Sequence, residues 1–214
     1  MATFSKTPPG ACLMIRTDIF RYARVHRAVA ILAGTSAVAL LSAFFGGVEI
    51  SLPSIGSGGV TTGVPFRREL PVLSAVFLAA ALGGAMATHE EMATSAMHRY
   101  RRKYCMVLTL TVCVFSFGVE ALAVGAEPGA IFVRSLLTWL GLALLSVRLL
   151  GNQLSWALPL ASAFLLIWYP HEWWDWTSNS VTDLFSWAVA MSALAVGAAA
   201  TTATPWRMKT WFRR

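Results

Sequence analysis

The chain has 214 residues, 57% of them hydrophobic and only 13% charged, with a formal net charge of +7. Soluble domains are roughly 45–50% apolar and about 25% charged, so this composition excludes an ordinary water-soluble globule. The apolar excess is gathered into runs of about twenty residues, the length a helix needs to cross a hydrocarbon core, and the basic residues lie between those runs. They read as topology signals and contacts with anionic lipid, and no nucleic-acid partner is expected.

Residues 1–27 form a polar N-terminal segment. Wound as a helix, Arg16, Arg24 and Arg27 share one face with Arg21 at its margin, and Ile15, Ile19, Tyr22 and Ala23 lie opposite. That pattern predicts an amphipathic helix lying in the cytoplasmic interface; a disordered basic leader is the alternative. The segment is too polar for a signal-peptide core, so no cleaved leader is expected. Six spans follow, at 28–48, 70–88, 104–124, 131–149, 153–169 and 182–201. The predicted fold is therefore an all-α integral membrane protein, with a six-helix transmembrane domain over 28–201 and a basic cytoplasmic tail over 202–214. The first two spans are rich in Ala, Gly and Ser, which lets helices pack closely. The fifth is short, and its Pro159 is expected to kink it or free a carbonyl.

Orientation follows from the basic residues. With the N-terminus inside, Lys6, Arg16, Arg21, Arg24, Arg27, Arg99, Arg101, Arg102, Lys103, Arg148, Arg207, Lys209, Arg213 and Arg214 are cytoplasmic. Only Arg67, Arg68 and Arg134 face outward. The positive-inside rule then places both termini in the cytoplasm of a multi-pass protein of the cell membrane. The segment 49–69, with its Gly/Ser-rich run, shows no helical or strand pattern and is expected to be a flexible outer loop. Residues 170–181 lack Lys and Arg, and Trp173, Trp174 and Trp176 suit the outer interface, where an indole N–H stays wet.

Candidate chemistry is sparse. His89-Glu90-Glu91-Met92-Ala93 opens like a zinc-protease helix but has alanine where the second histidine belongs. His171, Glu172 and Asp175 could hold a cation or, more simply, be solvated. Cys12, Cys105 and Cys113 do not make a disulfide framework. There is no phosphate-cradling loop, so the chain is expected to have no catalytic residues, no metal and no ATPase of its own. Glu120 and Arg134 stand at neighbouring outer ends of spans three and four. They are expected to form an intramembrane ion pair, pinning two helices or contacting a substrate. Residues 88–103 run from acidic Glu90 and Glu91 to basic Arg99, the order that suits a helix dipole. They predict a short cytoplasmic helix between spans two and three, with an ordinary charged loop as the alternative.

Taken in order, these elements resemble the membrane subunit of ABC-2 type ABC transporters. The run from Thr88 to Arg102 is similar to the acidic-to-basic stretch of small actinobacterial permeases. The run from Arg148 to Leu160 resembles their inner hairpin, and Trp173-Trp174-Asp175-Trp176 their outer tryptophan-rich segment. The resemblance implies an exporter of a hydrophobic or amphipathic compound or peptide in a bacterial membrane. ATP and Mg would be handled by a separate ATP-binding cassette protein, and a second permease copy or paralogue would complete the pathway. Residues His89, Glu90, Glu91, Met92 and Arg99 would couple to the ATPase. The competing expectation is an accessory or structural subunit of a membrane complex that moves nothing itself.

Overall fold

The structure, a computed structural model, describes residues 28–53, 61–82, 95–168 and 175–202. The expected interfacial helix with Arg16, Arg21, Arg24 and Arg27, the residues His89, Glu90, Glu91 and Met92, the tryptophans Trp173 and Trp174, and the basic tail lie outside the described residues. In chain order the elements are α1 (Ala28–Phe45), β1 (Glu49–Pro53), β2 (Thr61–Pro65), α2 (Phe66–Leu82), α3 (Ser95–Ala123), α4 (Ala126–Leu150), a 3-10 turn (Asn152–Leu154), α5 (Ala157–Trp168) and α6 (Leu184–Thr202). Four segments are long and apolar enough to cross a membrane: Ala28–Phe45, Arg102–Ala123, Ala126–Leu150 and Leu184–Thr201. Their outward faces carry large apolar side chains, such as Val29, Phe44, Leu110, Leu122 and Leu184. Surfaces of that kind are costly in water and natural in lipid, so the protein is a membrane-embedded, multi-pass one.

The bundle is organised around α4, of which 61% is buried, against 17–28% for the other three long segments. It packs on α2, α3, α5 and α6. Its buried residues occur on every side of the helix, with Phe132, Leu136, Trp139 and Leu140 on one face and Arg134, Thr138 and Gly141 on the opposite one. Where α4 meets α6 the backbones touch: a Cβ on Gly141 would lie within 2.5 Å of the Ala193 backbone, and one on Gly197 2.4 Å from the Gly141 carbonyl oxygen. Only residues without a side chain allow that approach. Gly125 (φ 134°) turns the chain between α3 and α4, and Gly151 (φ 92°) ends α4, conformations that a Cβ disfavours. At the α4–α5 corner, the Ser146 hydroxyl donates to the Leu154 carbonyl at 2.5 Å.

Three expectations are corrected. The loop expected to be patternless contains an antiparallel pair, with Glu49 opposite Pro65 and Pro53 opposite Thr61. A two-stranded ribbon is marginal alone, but here the ladder continues into the helix ends, through Phe66 N–H to the Val48 carbonyl and Arg67 N–H to the Gly46 carbonyl, both at 3.1 Å. Residues 95–103 are the first turns of α3, continuous with the span behind them. They are not the end of a separate short helix. Pro159 is the third residue of α5, where a missing N–H costs nothing, so it starts the helix and does not kink it. That helix has 12 residues and rises only about 18 Å.

Candidate functional site: a buried polar cluster at the hairpin end

The end of the bundle that carries the β-hairpin gathers most of the charged groups that helices would ordinarily exclude. Arg67 and Glu69 come from the first turn of α2, Glu120 from the last turns of α3, and Arg134 from the third turn of α4. The stretch between α5 and α6 adds Asp175 and Asp183. Leu70, Val38 and Phe132 pack together at the same end. Glu120 and Arg134 are both fully buried.

The pairing differs from the one expected. Glu120 forms its ion pair with Arg67, whose Nε lies 3.1 Å from Oε2, although the N–H is not aimed at that oxygen. Arg67 Nη2 also donates to the Ser42 carbonyl at 3.4 Å. The pair thus joins the ends of α1, α2 and α3. Arg134 turns the other way. Its Nη1 donates to the Ser180 carbonyl at 2.7 Å, and its Nη2 to the Trp176 and Asn179 carbonyls at 2.8 and 2.6 Å. The guanidinium therefore supplies the hydrogen bonds that a helix would have made within itself. Sequence spacing put Glu120 and Arg134 near one another along the chain, but their rotation about α3 and α4 sends them to different partners.

Residues 175–183 explain why such a cap is needed. The Asp175 Oδ1 accepts from Thr177 N–H at 3.0 Å, Thr177 Oγ1 at 2.6 Å and Ser178 N–H at 3.3 Å, an Asx-type turn. Asp183 caps α6, accepting from Phe185 N–H at 3.3 Å and Ser186 N–H at 3.2 Å, with the Ser186 hydroxyl at 2.5 Å and the Asn179 amide at 3.0 Å. Trp187 Nε1 donates to the Val181 carbonyl at 2.8 Å. The turn is a folded plug. Trp176 meets Trp139 edge to face, with centroids 5.6 Å apart. Trp139 is at the midpoint of α4, about 20 Å from its start. The plug's Trp176 thus packs, half-buried, at the level of the middle of α4. Asp175, weighed as a solvated or cation-holding residue of a wet loop, is likewise buried at 2% exposure.

Glu69 is the member of the cluster that sequence reasoning missed. It lies just ahead of the apolar run that begins at Leu70, and its Oε2 is buried without a hydrogen-bond partner among the described residues. Its carboxyl is pushed up to about 7, first by burial and then by the Asp175 carboxylate, with Arg68 pulling the other way. The signals for the plug were present in the sequence, in Asp175-Trp176-Thr177-Ser178 and in the Asp183-to-Ser186 capping pattern. No local signal announced that Arg67 and Glu69 turn inward. Among the described residues no group of three His, Cys, Asp or Glu side chains could hold a metal ion.

The fold and site define a polytopic helical membrane protein with a polar closure at one end. Comparison with family models, characterised proteins and solved structures finds no match.

Proposed function

We propose that this chain is the membrane-spanning permease subunit of an ABC exporter, with six spans, both termini in the cytoplasm and the hairpin end outside. The observation that carries the transport reading is the non-helical plug over 175–183, packed against the middle of α4 through Trp176 and Trp139. Irregular backbone at membrane depth is tolerated where protein satisfies it or it lines a cavity, and broken helices near the midplane are a recurring device of transporters. Arg134 satisfies it here. The ABC assignment adds the order of elements in the sequence. A separate cassette protein would hydrolyse ATP with Mg, and residues His89, Glu90, Glu91, Met92 and Arg99 would receive its movement. A second copy would complete a path for a hydrophobic or amphipathic compound or peptide. An accessory subunit is the second reading, favoured by the filled bundle centre, where Leu136, Trp139 and Leu140 are at most 1% exposed.

The test is a mild-detergent pull-down on a C-terminal tag, with mass spectrometry of what stays bound. A stoichiometric ATP-binding cassette protein, whose ATPase response is lost in Glu90→Arg or Glu91→Arg, is the expected result. A different complex, or no partner, overturns the permease assignment and leaves the accessory reading.

A further inference from the structure

Bundle ends that face water put charge outward and aromatic rings inward. On the side built from α1, the hairpin base and α2, this end is the reverse. Glu120 is fully buried and Arg67 is 22% exposed, whereas Phe44 and Val48 are 79% and 57% exposed. Phe45, Phe66 and Leu122 also lie open. The inversion is fixed by backbone and side-chain contacts. The Phe66 N–H donates to the Val48 carbonyl at 3.1 Å, which sets those two residues at one level, and the Arg67 N–H donates to the Gly46 carbonyl at 3.1 Å. The Arg67 side chain then turns inward. Its Nη2 donates to the Ser42 carbonyl at 3.4 Å, and its Nε lies 3.1 Å from Glu120 Oε2. A Cβ on Gly46 would lie 2.9 Å from that Nε, so the absence of a side chain there makes room for the guanidinium. Charge is drawn in beneath the hairpin base, and the apolar groups are left outside.

We propose that the hairpin base is a lipid-binding surface, seated at the edge of the bilayer's hydrocarbon with Val48 and Phe66 against the acyl chains. Two observations say what covers it. The first is continuity. Leu41, Phe44 and Phe45 are exposed along α1 and Val48 is exposed just beyond its end, at the spacing of a single helix face. The hairpin base therefore prolongs a surface that already faces lipid. The second is length. Helix α1 has 18 residues and rises about 27 Å, slightly less than a hydrocarbon core of about 30 Å. Lipid that covers α1 from end to end thus reaches the level where Val48 and Phe66 meet. Their chain neighbours Glu49 and Arg67 carry charge, and an aromatic ring beside charged groups suits the boundary with the headgroups. Seated there, the hairpin base keeps bulk water from the Arg67–Glu120 pair, whose attraction is stronger in a medium of low dielectric constant. The hairpin base is then part of the membrane-facing surface, and not the root of a loop free in water.

This inference requires neither the ATPase partner nor a substrate, so its test is separate from that of the permease assignment. Phe44→Cys, Val48→Cys and Phe66→Cys are made one at a time in the full chain, in a background lacking Cys12, Cys105 and Cys113. Each thiol is spin-labelled in phospholipid nanodiscs. Its relaxation by oxygen, which concentrates in lipid, is compared with that by a water-soluble nickel chelate. Oxygen should be the stronger relaxer at all three positions, with depths at 48 and 66 within about 6 Å of that at 44, the rise of four helical residues. A stronger effect of the nickel chelate at 48 and 66 means water there, and weak relaxation by both agents means a protein cover such as a second copy; either result overturns the proposal. A second readout needs no label. Val48→Trp should keep the melting temperature in nanodiscs within about 2 °C of the unmodified protein, whereas Val48→Asp should lower it by about 4 °C or more. An aspartate tolerated as well as the tryptophan also overturns the lipid assignment.

Discussion

Replacing Arg134 by leucine tests the central claim that a single guanidinium holds the plug inside the bundle. The side chain makes three hydrogen bonds of 2.6–2.8 Å to plug carbonyls, and bonds from a charged donor are worth roughly 1.5–3 kcal/mol each. Their sum overstates the effect, because leucine also removes the several-kcal/mol cost of burying a charge. Against that relief stand three part-buried carbonyls left without donors, at up to about 1–3 kcal/mol apiece. The net expectation is the loss typical of breaking a buried polar network from one side, about 3–5 kcal/mol. For a chain of this size that corresponds to a drop in melting temperature of roughly 6–20 °C. The assay is thermal unfolding of detergent-purified protein followed by size-exclusion chromatography, paired with hydrogen exchange of the peptide spanning 175–183. Arg134→Lys should fall between the two proteins, because an ammonium lacks the planar fork that reaches three carbonyls. A melting temperature within about 2 °C of the unmodified protein, with unchanged exchange in 175–183, would refute the reasoning.

Other expectations can be checked in the same assay. Arg67→Met leaves the buried Glu120 carboxylate unpaired and should cost about 3–5 kcal/mol, while the double variant Arg67→Met/Glu120→Gln should recover most of that loss. Gly141→Ala places a Cβ within 2.5 Å of the Ala193 backbone and should destabilise by about 1–3 kcal/mol, whereas Gly118→Ala meets nothing within 4 Å and should be neutral or slightly stabilising. Asp183→Ala removes the cap of α6 and should cost about 1 kcal/mol, visible as faster exchange over 183–187.

The membrane class and the positions of the four long apolar helices were legible in the linear sequence, because each depends on a property of a contiguous run. A stretch of about twenty apolar residues identifies a crossing helix whatever its neighbours do. The hairpin was not legible. Its strands are five residues each, and their pairing is stabilised by the helices that bring residues 49 and 65 together, which a local window does not contain. The plug was half legible: its capping residues are locally recognisable, but where it packs is set by the Trp139 ring it meets.

What the sequence by itself determined is therefore the solvent and the helical class. What only the tertiary structure decided is which charge meets which. Glu120 and Arg134 are separated by a short turn, yet helix rotation gives Glu120 to Arg67 and Arg134 to the plug. The physical reason is that an ionisable group buried in a bundle must find its partner through the packing of whole helices, and that packing is governed by surfaces such as the Gly141–Gly197 crossing that carry no charge at all.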